Sequence, residues 1–222
     1  GRSGHDINQA MLTRGLVDVL QTPLEPLAEG VRLCDFPATH RLAELGFDLH
    51  LAESGTRINA AALADIVVEQ EPHGPFANYF SGLAEALSER QLAGRLVGSI
   101  DAILRLPDGR FSAVDYKSNR LHPAGADDPA GFYQPEPMRS AMIDHHYPLQ
   151  ALLYTVAVHR FLRWRLDGYD PATHLAPPTY LFVRAMVGTD TPMVDGVRAG
   201  IHVWDLGHEA VLAVDRLLAG QA

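Results

Sequence analysis

The stretch "AVDYKSN", residues 113–119, decides how this chain is to be read. It opens as core, with Ala113 and Val114, and then sets Asp115 and Lys117 two apart with Tyr116 between them. In an extended strand, residues two apart share a face. A carboxylate and an ammonium therefore lie side by side next to what reads as core. Two readings fit: a solvated surface ion pair, which contributes little to stability, or two parts of a catalytic site.

The neighbouring sequence bears on the choice. "GRLVGSIDAILRLPDGRFSAVDYKSN", residues 94–119, reads as a β-hairpin. Pro107 suits the second position of a type I turn, and Gly109 suits the left-handed position that follows. The result is a three-residue loop with a glycine bulge. Leu106 then faces Arg110, and counting back sets Asp101 opposite Asp115. Side chains that face each other across a strand pair have Cβ atoms about 5 Å apart, and like charges there destabilise the sheet. A divalent cation removes the conflict, because hard cations take carboxylate oxygens. With Lys117 on the same face, the hairpin gathers two carboxylates, room for a metal and a lysine. The tripeptide alone favours the surface pair; Asp101 moves the balance towards a site.

"YPLQALLYTVAVHRFLRWRL", residues 147–166, reads as a long helix with Pro148 in its first turn. Gln150 and Tyr154, four apart, stack on one face. Most other sides are apolar, so the helix reads as buried, and its polar groups need partners. These two side chains either make a structural bond to a neighbouring strand or aim at a water, a carboxylate or a phosphate. Taken alone, the structural bond is the better reading.

Elsewhere, residues 15–24 read as a helix stopped by Pro23, and 40–52 as a strand with Leu45, Phe47, Leu49 and Leu51 on one face. Residues 59–70 and 79–92 have helical spacing. A loop with four prolines is expected over 120–144, a buried strand over 179–188 and a closing helix over 207–220. Residues 1–15 carry little apolar pattern and read as a separate leading segment or an expression scar; 16–222 form one domain. The class is α/β, a mixed central sheet flanked by helices.

The chain has 222 residues, 47% hydrophobic and 20% charged, an ordinary globular balance. No apolar run approaches the roughly 18 residues of a membrane span, and no secretory signal opens the sequence. A single cysteine, Cys34, excludes a disulfide framework and a cysteine zinc site, and fits a reduced, cytoplasmic setting. The net charge of −9 argues against a non-specific nucleic-acid binder. It does not argue against a local groove in which metal ions and a few arginines hold a polyanion. There is no G-x-x-x-x-G-K-[ST], so the chain carries no ATP motor, and no H-E-x-x-H or Cys-x-x-Cys.

The segments "GSIDAILRLPDGRFSAVDYKSNRL", "YPLQALLYTVAVHRFLRWRLDGYD" and "YLFVRAM" together resemble the C-terminal nuclease domains of RecB-type subunits of exodeoxyribonuclease V. These belong to the PD-(D/E)xK, restriction-endonuclease-like superfamily. The resemblance runs from about residue 16 to the end, and is close over 94–121 and 146–186. It implies that Asp101 and Asp115 are metal-binding carboxylates, with the Tyr116 carbonyl as a further ligand. Lys117 is then the lysine of the (D/E)xK motif. Glu44, in "AELGF", matches a glutamate on the first strand, and Gln150 and Tyr154 match a Gln-x-x-x-Tyr motif. Arg184, Arg120 and Arg95 become candidates for holding phosphates, against the plainer reading of surface or packing arginines.

The same resemblance implies an Mg²⁺-dependent deoxyribonuclease, with Mn²⁺ or Ca²⁺ able to replace Mg²⁺ in binding. It further implies single- and double-stranded DNA ends as substrate, RecC and RecD as partner subunits, a bacterial cytoplasmic setting, and a place within a longer helicase–nuclease chain. The alternative function is a nuclease-like module, weak in catalysis, that docks RecA or holds DNA. Relatives of this kind carry another metal ligand, a histidine on an upstream helix. His5 and His40 lack its context, and His145-His146 reads as a helix start rather than a phosphate contact. The metal site is therefore expected to be incomplete and weak in this sequence.

Overall fold

The structure is a computed structural model, and it describes residues 9–51 and 57–221. Its centre is a five-stranded mixed sheet. In chain order the strands are β1 (Arg41–Leu51), β2 (Gly94–Arg105), β3 (Phe111–Lys117), β4 (Thr179–Phe182) and β5 (Ile201–Val203), arranged β5-β4-β3-β2-β1. All pairings are antiparallel except β3 with β4. A parallel pair needs a long crossover. Here helices α4 (Pro135–Asp144) and α5 (Tyr147–Arg165) supply it. Before the hairpin come α1 (Gln9–Gln21), α2 (Ala60–Gln70) and α3 (Ala77–Leu87), and the chain closes with α6 (His208–Leu218).

The turn is the one the sequence dictates. Leu106 N–H donates to the Arg110 carbonyl (2.7 Å), Gly109 N–H donates to the Leu106 carbonyl (2.9 Å), and Gly109 has φ +91°. The β2–β3 register runs from Arg105↔Phe111 to Ala102↔Val114.

Alternation along these strands feeds two cores. On one face, Ile103 and Ala113 pack with Leu152, Val156, Phe80, Leu63 and Val214 from the helices. On the other, Leu104, Val114, Leu181 and Ile201 pack with Leu24, Leu27, Leu33 and Phe36. Both faces of the sheet are thus covered. Helix α5 contributes nine buried residues, as its apolar surround implied. Among the described residues no helix is long and apolar enough to cross a membrane.

Several expectations need correcting. Residues 120–144 are not one loop, since Pro135 opens α4 at its first turn. There the missing N–H has no intrahelical partner to lose, so a proline read as a loop marker is a helix start. The strand expected over 179–188 ends at Phe182 and gives way to a 3₁₀ turn, Val183–Ala185. The first helix begins at Gln9, six residues before its expected start at 15. The helix expected over 79–92 ends at Leu87, and Gln91–Leu92 pairs with Ile58–Asn59 instead. His5 lies outside the described residues.

Candidate active site

The hairpin delivers Asp115 and Lys117 to the helix-covered face, beside Ala113. Asp115 is 4% exposed. Lys117 Nζ stands 2.6 Å from its Oδ2. The approach is close but not aligned as a hydrogen bond, so Oδ2 is a buried oxygen with a cation beside it and no donor aimed at it. Burial pushes the Asp115 carboxyl above its ordinary range and the charge of Asp101 adds to this, against the opposing pull of Lys117.

Asp101 solves its half of the conflict differently. Continuing the register places it opposite Asp115, but the ladder stops at Ala102↔Val114, and Asp101 Oδ2 accepts the Tyr116 N–H instead (2.9 Å). The strand slips here. Ile100 packs into the helical core and Ala102 into the opposite one, although strand residues two apart normally share a face. On the other side, β1 pairs Ala43 with Ala102 and Leu45 with Ile100, leaving Glu44 between them at φ +53°. A non-glycine residue in the left-handed region is a strained position. Glu44 and Asp101 thus fall together at the irregular step of the β1–β2 pair. Glu44 and Asp101 are exposed.

Helix α5 completes the group. Lys117 Nζ donates to Gln150 Oε1 (3.1 Å), which also accepts from the Tyr180 hydroxyl (3.0 Å). Gln150 Nε2 donates to the Tyr154 hydroxyl (3.0 Å). Of the two readings open for Gln150 and Tyr154, the structure shows the bond to the neighbouring strands, made by Gln150 to Lys117 and Tyr180. Tyr154 is pushed up to about 12 by burial and by the charges of Asp115 and Asp101, so it remains a phenol with a proton to donate. Tyr180, deeper, is raised further by burial.

Two of the arginines lie near the exit of β3. Arg184 Nε donates to the Ser118 carbonyl (2.7 Å), and Arg120 is exposed just beyond. Arg95 stands six residues before Asp101 on β2, about 20 Å along an extended strand, and is ion-paired with Asp48. Tyr147 and Tyr180 also line the Lys117 ammonium, and Asn119 and His145 contact Tyr147 in turn; of these four the sequence pointed only to His145. Two signals were available. Lys117 is the only lysine among the 18 basic residues of the chain, and Tyr147 lies three residues before Gln150, on the same helix face.

No protein-family model matches the chain. Relatives do. It is 40% identical to the RecBCD enzyme subunit RecB of Mycolicibacterium smegmatis over 223 residues, covering 98% of this chain and 20% of that protein. Identity to RecB of Mycobacterium tuberculosis strain H37Rv is 40% over 93% of this chain, and to RecB of Escherichia coli K12 35% over 80%. The chain is a homologue of RecB. It spans about a fifth of the length of the mycobacterial RecB proteins it matches. The mixed sheet flanked by helices is the restriction-endonuclease-like arrangement that the resemblance of its motifs to RecB-type nuclease domains implied.

Proposed function

We propose that the chain is a metal-dependent deoxyribonuclease domain, hydrolysing DNA phosphodiester bonds within a RecBCD-type helicase–nuclease that acts in double-strand-break repair and recombination. One observation carries the reading: in a homologue of RecB, the single lysine is held between Asp115 and Gln150 with Asp101 on the adjoining strand.

The residues present suit a hard divalent cation. Mg²⁺ selects carboxylate and carbonyl oxygens and keeps several of its waters. Asp115 Oδ2 is a buried oxygen without an aligned donor, Asp101 is an exposed carboxylate on the adjoining strand, and the Tyr116 carbonyl follows Asp115 on β3. Among the described residues no group of three His, Cys, Asp or Glu side chains is gathered for a metal, so the protein's share would be two carboxylates and a carbonyl. Mn²⁺ or Ca²⁺ would replace Mg²⁺ in binding. When bound, the ion would polarise a phosphoryl oxygen and lower the pKa of a coordinated water.

The chain's own groups have separable tasks. Lys117 brings positive charge to a nearly water-free position, where a fixed charge is most effective against the negative charge that develops on a transferring phosphate. Gln150 aims that ammonium, and Tyr154 offers a hydroxyl proton beside it. Arg120 and Arg184 suit flanking phosphates. DNA ends, single- and double-stranded, are the proposed substrate, RecC and RecD the partner subunits, and the bacterial cytoplasm the setting.

A second reading, a nuclease-like module that docks RecA or holds DNA, draws on one fact: Lys117 lies against Asp115, and among the described residues no group of three acidic, histidine or cysteine side chains is gathered for a metal. Incubating the chain with end-labelled single-stranded DNA and with supercoiled plasmid separates the two. The nuclease reading expects degradation in Mg²⁺ and none in EDTA. Binding of DNA or RecA without cleavage in either Mg²⁺ or Mn²⁺ would favour the second.

A further inference from the structure

Seventeen of the 18 basic residues in this chain are arginines, and the exception is Lys117. Its surroundings account for the exception. The ammonium nitrogen lies 2.6 Å from Asp115 Oδ2, 3.1 Å from Gln150 Oε1, 3.8 Å from the centre of the Tyr147 ring and 5.2 Å from that of Tyr180. A compact ammonium reaches two acceptors in different directions and still rests on a ring face. A planar guanidinium, with its donors in a rigid fork, cannot do so from one point.

We propose that Tyr147 is a positioning residue for the reaction: its ring face seats the Lys117 ammonium, and Asn119 and His145 hold the ring in place. The proposal rests on the nuclease reading above and adds a residue to it. The ring is fixed on every side. The Tyr147 hydroxyl donates to Asn119 Oδ1 (3.3 Å), and Asn119 Nδ2 lies 3.3 Å from His145 Nε2. His145 stacks on Tyr147 at 5.2 Å and 26°. Tyr180 stacks on Tyr147 at 5.6 Å and 23°, and its hydroxyl donates to the Tyr147 carbonyl (3.2 Å).

The backbone is bent to permit this. His146, between α4 and α5, adopts φ +56° and turns the chain so that His145 returns over the ring. The Tyr79 hydroxyl bonds His146 Nδ1 (3.0 Å) and holds that strained residue. The exit from β3 is pinned as well, since the Tyr133 hydroxyl donates to the Asn119 carbonyl (3.1 Å) and accepts from Leu121 N–H (3.2 Å). A cation seated on a ring and shielded from water gains roughly 10-fold or more in an equilibrium. Here that gain goes into direction: the lysine is held against Asp115 and Gln150 instead of sampling its many rotamers.

The single lysine makes the test clean. In the chain labelled only with ¹³Cε-lysine, one side-chain signal arises, and its protons should lie upfield of free lysine because they sit over a ring face. Tyr147→Leu should return the signal towards the free position, and Tyr147→Phe, which keeps the ring, should not. On a single-stranded oligonucleotide in Mg²⁺, Tyr147→Leu should lower kcat roughly 10-fold with KM unchanged, Tyr147→Phe, which keeps the ring but loses the Asn119 bond, should lower it no more than a few-fold, and Tyr147→Leu added to Lys117→Ala should cost nothing further. Three results overturn the seat in a chain that cuts DNA: a wild-type signal at the free-lysine position, a raised KM with intact kcat, or a full further loss in the Lys117→Ala background. If Tyr147→Leu does not fold, Asn119→Ala decides, with a partial shift of the signal and a few-fold lower kcat expected and no change in either contradicting the proposal. A wild-type chain that cuts no DNA overturns the nuclease reading, and the positioning role with it.

Discussion

Asp101 and Asp115 lie on neighbouring strands just past the end of their ladder, and, on top of burial, the charge of Asp101 still raises the Asp115 carboxyl. The fold relieves this with what it has: Lys117 lies against Asp115, and the Tyr116 N–H is given to Asp101. Both arrangements leave carboxylate oxygen to spare, and Asp115 is still raised by its burial and its neighbour. A divalent ion that binds only the folded pair should therefore raise stability by mass action, about 2.7 kcal/mol at a hundred times its dissociation constant. Melting temperatures with and without Mg²⁺ or Mn²⁺ should rise for the wild type and stay flat for Asp101→Ala and Asp115→Ala. Equal metal-induced shifts in all three would place the ion elsewhere. The hairpin turn and the first four register pairs were legible because register is arithmetic once the turn is known, but the count ran one pair too far, since the ladder ends at Ala102↔Val114, before Asp101. Tyr180 was not legible, because periodicity tells which face a residue takes and says nothing about the element, more than sixty residues away, that covers it.

Among the elements, the hairpin and α5 were readable from local pattern alone: Pro107 and Gly109 fix the turn, and an unbroken apolar surround marks the buried helix. The misread elements failed for local reasons too. Pro135 is equally at home in a loop and at the first position of a helix, and the apolar run 179–188 cannot show by itself where a strand yields to a 3₁₀ turn. The slip at Glu44 and Asp101 was invisible as well, since strict alternation is the premise of the count that set Asp101 against Asp115. Helices α5 and α6 are joined by a clasp. Asp215, 5% exposed, meets Arg160, Arg163 and His159. Burial alone would raise its carboxyl, but the nearby His159 ring, the hydrogen bond from Arg160 and the charges of Arg160 and Arg163 hold it well below the usual carboxylate range. A carboxyl lowered in the folded state contributes stability that is present above its unfolded pKa, about 3.9, and lost as pH falls below it. Asp215→Asn should cost about 1–3 kcal/mol at neutral pH, because it leaves the partly buried Arg160 without its charged partner. The gap in melting temperature between variant and wild type should narrow as pH drops from about 5 towards 2. A gap that does not change over that range would mean the clasp is held by packing and not by charge.

At the scale of the molecule, the sheet does two jobs. Its buried middle strands carry the two cores, and the end of β3 presents Asp115 and Lys117 where the ladder with β2 has just parted. The parallel β3–β4 pair requires the long crossover, and that crossover is the element that carries Tyr147, Gln150 and Tyr154 back over Lys117. Topology and site are therefore one arrangement, and the central claim is that Asp115 and Lys117 act in it together on DNA. Initial rates of cleavage of an end-labelled single-stranded oligonucleotide in Mg²⁺ test this most directly, measured side by side for the wild type, Asp115→Asn and Lys117→Ala, each shown to be folded. The account predicts a loss of roughly 10² or more in each variant. Cleavage at the wild-type rate by either one would contradict it.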